Sequence, residues 1–251
     1  MGQAWVMEEE SPEVTDGFLL GGRVRYAQPR VGYRTGIEPV LLAASVTAWP
    51  GDRVLEAGCG AGAGLLCLAA RVPGIAGVGV ELDPAMAALA RRNFTDNGFD
   101  SLSLREADVM TLSGAAEFDH VFANPPWHEE FSSASQLAGR DRAKRARAGL
   151  LEGWIHRLLE LLRPGGTIRL ALPADQFARA GAALAEGGAG GISLFPLWPR
   201  EAAAAKLVLI GAVKGRGMAA RVLPGLVLHE GAGFTVEAER VLRGGAGLDW
   251  T

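Results

Sequence analysis

The first segment with residue types suited to chemistry spans residues 54–62, where an apolar run ends in Gly58, Gly60 and Gly62 at alternate positions. Glycine accepts positive φ and lets a ligand approach backbone that a Cβ would block. The next apolar run ends in Glu81, at the distance expected of a carboxylate that binds a ribose diol. Because a chain with 35 glycines can produce such a spacing by chance, the interpretation depends on the strand context and Glu81. Together they predict a site for an adenosine-bearing cofactor.

The second segment is Asn124-Pro125-Pro126-Trp127, directly after the apolar run 118–123. Proline fixes φ and lacks an N–H, so the carbonyls beside two prolines are held rigidly. An exocyclic amino group on a base is a poor nucleophile because its lone pair is delocalised into the ring. The Asn124 side-chain oxygen and the Pro125 carbonyl can each accept one N–H and favour a pyramidal nitrogen aimed at a methyl donor. Trp127 offers a flat face to a flipped base, the alternative being an ordinary turn with a tryptophan that covers the core.

The elements that must position these segments follow a repeated strand and helix pattern. Five apolar runs predict strands, at 54–55, 75–80, 102–104, 118–123 and 167–172. Four longer patterns predict helices, at 37–48, 65–72, 85–97 and 150–162. Asp83 competes with Glu81 for the ribose, but its place before Pro84 favours a helix cap. This alternation predicts an α/β, Rossmann-like fold with a mostly parallel, doubly wound sheet.

The two ends of the chain differ from this pattern. Two apolar runs flank Gly21-Gly22, which signals a two-residue hairpin turn and predicts an N-terminal β-ribbon over 15–34. Runs at 192–197, 205–213 and 222–228 have no full helix between them and predict an antiparallel C-terminal edge on a seven-stranded sheet. A last helix is expected at 236–242. Residues 1–14 are expected to form a flexible tail, and 15–251 one domain with its core at 35–251.

Composition excludes several classes of protein. With 49% apolar and 21% charged residues among 251, the chain can bury a core and is neither disordered nor fibrous. The net charge of −3 means that any nucleic-acid site is a local basic patch. Cys59 and Cys67 lack companions for a zinc site or a disulfide framework. With an acidic N-terminus and no apolar stretch near the roughly 20 residues that span a bilayer, we expect a cytoplasmic protein without a metal or a membrane segment.

These motifs resemble those of the class I S-adenosylmethionine-dependent amino-methyltransferases, which are marked by Asn-Pro-Pro followed by an aromatic residue. The sequence is most similar to the bacterial tRNA(Val) (adenine-37-N-6)-methyltransferase family, from Asp16-Gly17-Phe18 through residues 32–42 to Asn124-Pro125-Pro126-Trp127. Weaker similarity continues to Leu228-His229, so the resemblance covers nearly the whole chain. The glycine motif is common to a very large superfamily, and the segment before the first core strand is more specific.

The resemblance implies roles for individual positions. The segment 33–38 would close over the methionine end of S-adenosylmethionine, the segment 56–62 would cradle the cofactor, Glu81 would bind the ribose, and Asp108 the adenine amine. The cofactor-binding residues expected on this basis are Tyr33, Thr35, Gly36, Glu38, Glu56, Gly58, Cys59, Gly60, Gly62, Glu81, Leu82, Asp108, Val109 and Asn124. Two positions depart from the family: Glu38 stands where Asp is usual, and Trp127 where Tyr is common.

A dense basic run follows the proposed catalytic loop and could bind tRNA phosphates. Its charged members are Arg140, Arg142, Lys144, Arg145 and Arg147. The alternative is a solvated loop whose charges only keep it soluble. His128 follows Trp127, and we expect it to form hydrogen bonds rather than act as a base. We interpret His120 as a core histidine with satisfied partners and Cys59 as a small residue beside the cofactor rather than a nucleophile.

The sequence therefore predicts an S-adenosylmethionine-dependent methyltransferase that acts on the exocyclic amine of an adenine in tRNA, with Asn124, Pro125, Pro126 and Trp127 as its catalytic residues. Other acceptors with a conjugated NH2 remain open: guanine N-2 in ribosomal RNA and the glutamine amide of a release factor. The absence of an N-terminal helical domain argues against the protein acceptor. A further alternative is a non-catalytic, cofactor-binding subunit, against which the intact Asn-Pro-Pro-Trp segment argues.

Overall fold

The computed structural model describes residues 13–31, 34–114, 116–125 and 149–250. Within these ranges the chain forms thirteen strands and six α-helices. The strands are β1 (Val14–Leu19), β2 (Val24–Pro29), β3 (Arg53–Ala57), β4 (Ala76–Glu81), β5 (Leu102–Glu106), β6 (Phe118–Ala123), β7 (Leu162–Pro173), β8 (Ala189–Trp198), β9 (Leu207–Lys214), β10 (Arg221–Val222), β11 (Leu226–Val227), β12 (His229–Glu230) and β13 (Gly233–Phe234). The helices are α1 (Glu38–Ser45), α2 (Ala63–Arg71), α3 (Pro84–Asp96), α4 (Leu150–Leu161), α5 (Phe177–Glu186) and α6 (Val236–Leu242).

A central sheet organises the described chain. Five parallel strands run in the order β5-β4-β3-β6-β7, and β9 and then β8 extend that side, with β9 antiparallel to both of its neighbours. The two-residue strands β10 and β11 both pair with β8 and bring the sheet to nine strands. In such an open sheet ligands bind beyond the carboxyl ends of the parallel strands, where the strand order reverses. Here that point lies between β3 and β6, because the chain continues from β3 to β4 and β5 on one side and then returns to β6 on the other.

Helices cover both faces of the sheet, as the doubly wound prediction requires. One buried apolar cluster contains residues of α1, α2, α3 and α6, and a second contains residues of α4 and α5. The inner parallel strands are the most deeply buried: all six residues of β6 are buried, as are four of the five residues of β3. The predicted N-terminal cap of α3 is present. Asp83 Oδ1 accepts the N–H of Ala85 at 2.8 Å, and Pro84 is the first residue of the helix.

The N-terminal ribbon is an antiparallel pair of β1 and β2, with Leu19 opposite Val24. Four residues, 20–23, therefore join the strands, and the prediction of a two-residue turn at Gly21-Gly22 was wrong. Leu20 occupies a left-handed conformation with φ 51° and is only 3% exposed. Burial of this leucine side chain in the main core explains the longer connection, because apolar burial outweighs a local turn preference.

Two features of the C-terminal half were not predicted. Helix α5 lies between β7 and β8 and buries Ala180, Ala183 and Leu184 against the sheet. Its buried residues recur at helical spacing, and Leu184 is the one large apolar residue among them. The apolar run 222–228 does not form one antiparallel strand; it contributes to the short strands β10 and β11, which are parallel to β8. The antiparallel pairing expected at this edge is made by β9.

Among the described residues, no helix combines the length and apolar character needed to cross a lipid bilayer.

Candidate functional site

The proposed cofactor and catalytic segments meet at the carboxyl edge of the parallel strands. Ala57, the last residue of β3, lies opposite Val80 of β4 on one side and Ala123 of β6 on the other. Neighbouring strands are about 4.8 Å apart. The chain beyond Ala57 therefore runs between Glu81, which ends β4, and Asn124, which follows β6.

The loop after β3, residues 58–62, is shaped by glycines at positive φ. Gly58, Gly60 and Gly62 have φ values of 65°, 55° and 86°, which L side chains rarely adopt. A Cβ on Gly62 would lie 2.6 Å from the ring of Phe94, and one on Gly58 would lie 3.1 Å from the ring of Trp154. Side chains of α3 and α4 thus contact the loop at these two glycines. Its backbone is the part that remains available to a ligand.

Glu81 organises this loop through its carboxylate. Its Oε2 accepts the N–H of Gly60 at 2.8 Å, and its Oε1 accepts the N–H groups of Leu82 and Asp83, each at 2.9 Å. A carboxylate has about four acceptor positions, so these three bonds leave one for a hydroxyl group. The geometry fits the predicted ribose contact while adding a role that the sequence did not reveal: Glu81 itself holds the glycine loop.

Glu56 lies under the loop, only 5% exposed, against the N-terminus of α2. Its Oε2 accepts the N–H of Leu65 at 2.7 Å, and Gly64 leaves the space that the carboxylate occupies, which a Cβ would fill. A helix N-terminus favours an anion. Burial nevertheless dominates and raises the pKa of Glu56 to about 8, with a smaller contribution from the negative charge of Glu81. Glu56 is thus largely protonated at neutral pH in the ligand-free protein.

The predicted catalytic segment begins where β6 ends. Asn124 is half-buried and Pro125 is buried, directly beyond Ala123. Because β6 is the neighbour of β3, the structure brings Asn124 and the glycine loop to adjacent strand ends. Pro126 and Trp127, the other two predicted catalytic residues, lie outside the described residues.

The predicted adenine side of the site is formed by the turns after β4 and β5. Asp108 Oδ1 accepts the N–H of Met110 at 2.9 Å and so caps a single turn of 3₁₀ helix that starts at Val109. Val109 is buried, whereas Leu82 and Met110 are 65% and 41% exposed. These two exposed apolar side chains stand at the ends of neighbouring strands, where an aromatic ring would cover them.

The segment before the first core strand adopts a defined turn. The Thr35 hydroxyl lies 2.6 Å from the Tyr26 hydroxyl, and the Thr35 N–H donates to Gln28 Oε1 at 3.0 Å. Gly36 has no Cβ, which leaves room for the carboxylate of Glu38 at the start of α1. Helix α1 packs against α2, the helix that the glycine loop opens. Tyr33 lies outside the described residues.

Two residues that might be mistaken for catalytic groups have structural partners. His120 Nδ1 lies 2.8 Å from Thr167 Oγ1, and its Nε2 lies 3.0 Å from Asp52 Oδ2, on the amino side of the sheet and away from the loop. Burial lowers the pKa of His120. Burial also raises the pKa of the Cys59 thiol, so that it is not a thiolate at neutral pH. Both observations agree with the sequence interpretation.

One residue of the site region was missed by the sequence analysis. Asn93 of α3 is 1% exposed, and its side-chain NH2 donates to the carbonyl of Ala61 in the glycine loop at 2.9 Å. An asparagine inside a helix is unfavourable without a partner, and a second one, Asn97, follows one turn later. Two asparagines four residues apart in a predicted helix were the sequence feature from which a structural role could have been predicted. The predicted RNA-binding residues Arg140, Arg142, Lys144, Arg145 and Arg147 lie outside the described residues.

Comparison with known proteins agrees with this architecture. Residues 54–146 match the family model described as a methyltransferase domain. The chain is 33% identical over 159 residues to a protein from Porphyromonas gingivalis named tRNA1(Val) (adenine(37)-N6)-methyltransferase, an alignment that covers 57% of this chain and 60% of that protein. A protein of the same name from Vibrio campbellii is 28% identical over 145 residues, with 57% and 59% covered. The chain thus aligns with only about 60% of the length of these relatives.

Solved structures show the same fold. A crystal structure of a predicted O-methyltransferase from Agrobacterium tumefaciens superposes with a TM-score of 0.70 at 26% identity, covering 84% of this chain and 98% of that one. A Haemonchus contortus phosphoethanolamine N-methyltransferase in complex with S-adenosyl-L-methionine, at 14% identity and a TM-score of 0.53, shares the fold alone. Residues 54–146 thus match a methyltransferase domain, and the chain is similar to the tRNA1(Val) (adenine(37)-N6)-methyltransferases.

Proposed function

We propose that this protein uses S-adenosylmethionine to methylate the exocyclic amino group of an adenine in a tRNA. The observation that carries the proposal is the adjacency of two strand ends: Asn124 follows β6, and the glycine loop follows its neighbour β3. A side chain that can accept a hydrogen bond from an amine and a loop that can bind a cofactor thus lie at the same edge of the sheet. The names of the relatives from Porphyromonas gingivalis and Vibrio campbellii support the choice of substrate.

The residues at this edge fit an adenosine-bearing cofactor. The loop has three glycines at positive φ, Glu81 retains one acceptor position for a ribose hydroxyl, and Leu82 and Met110 expose apolar surface for a base. When bound, S-adenosylmethionine would supply an electrophilic methyl group on a sulfonium ion. Thr35, Gly36 and Glu38 are proposed to line the methionine end, and Asp108 and Val109 the adenine end.

The chain's own residues would then prepare the acceptor. The Asn124 side-chain oxygen and the Pro125 carbonyl each accept one N–H of the substrate amine, which draws the nitrogen lone pair out of conjugation with the ring. Trp127 stacks on the base. No strong general base is required, because the amine becomes acidic as it gains the methyl group and loses its proton afterwards.

The basic run 140–147 is proposed to bind tRNA phosphates beside this loop. Each phosphate contact that releases counterions makes the affinity more sensitive to salt. A steep fall in RNA affinity between low and moderate salt is therefore expected, and an affinity that does not change with salt would favour the solvated-loop alternative.

A single assay tests the proposal. Purified protein is incubated with methyl-labelled S-adenosylmethionine and total RNA that lacks modifications, and the labelled nucleoside is identified by mass. We expect N6-methyladenosine in tRNA. Label on guanine or on an oxygen atom would replace the proposed acceptor, and an absence of label in RNA would favour a protein acceptor or the non-catalytic subunit.

The same assay compares the variant Asn124→Ala with the wild-type protein. Loss of one preorganised polar contact to the reacting group is expected to lower the methyl-transfer rate about 100-fold or more. The affinity for S-adenosylhomocysteine, measured by calorimetry, should change by less than about threefold. A variant with the wild-type rate would remove Asn124 from the mechanism.

A further inference from the structure

Two asparagine side chains hold the N-terminal ribbon, Asn93 within α3 and Asn97 at the C-cap directly after it. Asn97 Oδ1 accepts the N–H of Arg25, and its NH2 donates to the Arg25 carbonyl, both at 2.8 Å. Asn93 does the same for Ala27: its Oδ1 accepts the N–H at 2.8 Å and its NH2 donates to the carbonyl at 2.9 Å. The two amides thus take the place of a neighbouring strand along the outer edge of β2.

The spacing of these hydrogen bonds follows from the geometry of β2 and α3. Residues 25 and 27 of β2 present N–H and C=O groups to the same side and are about 6.7 Å apart along the strand. Residues 93 and 97 are one helical turn apart, about 6 Å along the axis. Because these repeats nearly match, two asparagines at i and i+4 can pair with alternate residues of an edge strand.

Asn93 differs from Asn97 in one contact. Its NH2 also donates to the carbonyl of Ala61 at 2.9 Å, in the loop between Gly60 and Gly62. Both of its N–H donors are therefore used, one on the ribbon and one on the loop. The side chain is 1% exposed, so water cannot replace a lost donor without reaching the interior. The remaining contact of Asn97 within α3 is with the Asn93 carbonyl at 2.7 Å.

The same face of α3 supports the rest of the loop. The ring of Phe94 lies 2.6 Å from the position of a Cβ on Gly62, and the methyl groups of Ala90 and Met86 are in van der Waals contact with the corresponding positions at Gly62 and Gly60, each at 3.5 Å. Positions 86, 90, 93 and 94 recur at helical spacing and form one face. Asn93 is the polar member of that face and the one that reaches both the loop and β2.

We propose that Asn93 is a positioning residue that couples the N-terminal ribbon to the cofactor loop. It fixes the Ala61 carbonyl, and through it the positive-φ turn at residues 60–62, in the conformation that binds the cofactor. The same side chain transmits the state of the loop to Ala27 of the ribbon. This inference rests on the proposed binding of S-adenosylmethionine at that loop.

The test compares Asn93→Ala with Asn97→Ala, two substitutions of the same chemistry, one within α3 and one at its C-cap. Each removes a pair of hydrogen bonds to β2, so both should lower the melting temperature. S-adenosylhomocysteine is the probe for binding. Asn93→Ala is expected to weaken its binding about tenfold, as the loss of one buried hydrogen bond predicts, whereas Asn97→Ala should change it by less than about twofold. Equal effects of the two variants on affinity would overturn the inference.

A measurement on the wild-type protein keeps the inference testable if Asn93→Ala fails to fold. Hydrogen exchange of the Ala27 and Arg25 amides is followed with and without S-adenosylhomocysteine. Protection of Ala27, which donates to Asn93, should rise about fivefold or more on binding, and protection of Arg25, which donates to Asn97, should rise less. Unchanged protection of Ala27 would contradict the coupling. If the wild-type protein does not bind the probe at all, the proposed function fails rather than the role of Asn93.

Discussion

At the scale of single residues, Glu56 illustrates how the surroundings decide the charge of a side chain. One hydrogen bond from Leu65 and the N-terminus of α2 both favour the carboxylate. Burial opposes them and is the larger effect, since it removes the solvation of the charge, and the pKa rises to about 8. The folded protein therefore binds a proton at Glu56 that the unfolded chain has already released at neutral pH.

This proton links the stability of the ligand-free protein to pH. The folded pKa of Glu56 is about 8 and the ordinary value is 4.5, so the neutral side chain makes its full contribution below pH 4.5, and that contribution is lost as the pH rises towards 8. Glu56→Gln removes the titration. The stability of the variant relative to wild type should therefore increase by about 3 kcal/mol between pH 5 and pH 7.5.

Urea unfolding of both proteins at several pH values measures this difference, because every other titrating group is shared. A difference that does not vary with pH would show that Glu56 has an ordinary pKa in the folded protein.

At the scale of elements, the glycine loop is held by the helices around it. Gly62 combines a φ of 86° with the ring of Phe94 at 2.6 Å from the position of a Cβ. Gly51, in the turn before β3, has a similar φ of 94° but nothing within 4 Å of a Cβ. The two glycines separate the cost of backbone strain from the cost of a clash.

Gly51→Ala is therefore expected to lower the free energy of unfolding by about 1–2 kcal/mol, through left-handed strain alone. Gly62→Ala should cost about 1–3 kcal/mol more because α3 must move. The same movement should weaken binding of S-adenosylhomocysteine, which Gly51→Ala should leave intact. Denaturant unfolding measures the change in stability, and calorimetry measures the change in affinity for S-adenosylhomocysteine. Equal losses of stability in both variants would show that the clash with Phe94 adds no cost to the backbone strain.

At the scale of the whole molecule, the C-terminal segment packs against the end of α1. The Leu248 N–H donates to the Ala44 carbonyl at 2.8 Å, near the end of that helix. Arg169 donates to the neighbouring Ser45 carbonyl at 3.2 Å, and its guanidinium lies 4.4 Å from the ring centre of Trp250. Burial lowers the pKa of Arg169 to about 9. The end of the chain thus satisfies the carbonyl of Ala44, and Arg169 of β7, which lies against Trp250, satisfies the carbonyl of Ser45.

Trp250 is the anchor of this segment. It is 6% exposed and stacks on Phe195 with ring centres 5.4 Å apart. Trp250→Ala should therefore cost about 3–5 kcal/mol of stability. Trp49, which is 74% exposed, provides the control, and its replacement by alanine should cost less than about 0.5 kcal/mol. Thermal or denaturant unfolding compares the two, and similar losses would show that the C-terminal segment is not part of the core.

The strongest signals in the sequence were local ones. The parallel strands, the glycine turn and the Asp83 cap depend on residues close together in the chain, because period, positive φ and capping are local properties. Glu81 and Asn124 lie beside the glycine loop because the carboxyl ends of neighbouring parallel strands share one edge of the sheet. Helix α5 was not predicted, although its buried residues, mostly alanines, recur at helical spacing.

The contacts that hold the site together were decided by the tertiary structure. Asn93 and Ala27 are separated by 66 residues, and Arg169 and Ser45 by 124. No periodicity predicts which buried donor meets which carbonyl over such separations. The sequence by itself determined where the chain can turn and which faces must be buried. Only the packing of α3 against the ribbon and the loop decided that an asparagine would join them, because a buried polar group takes whichever partner the fold brings within reach.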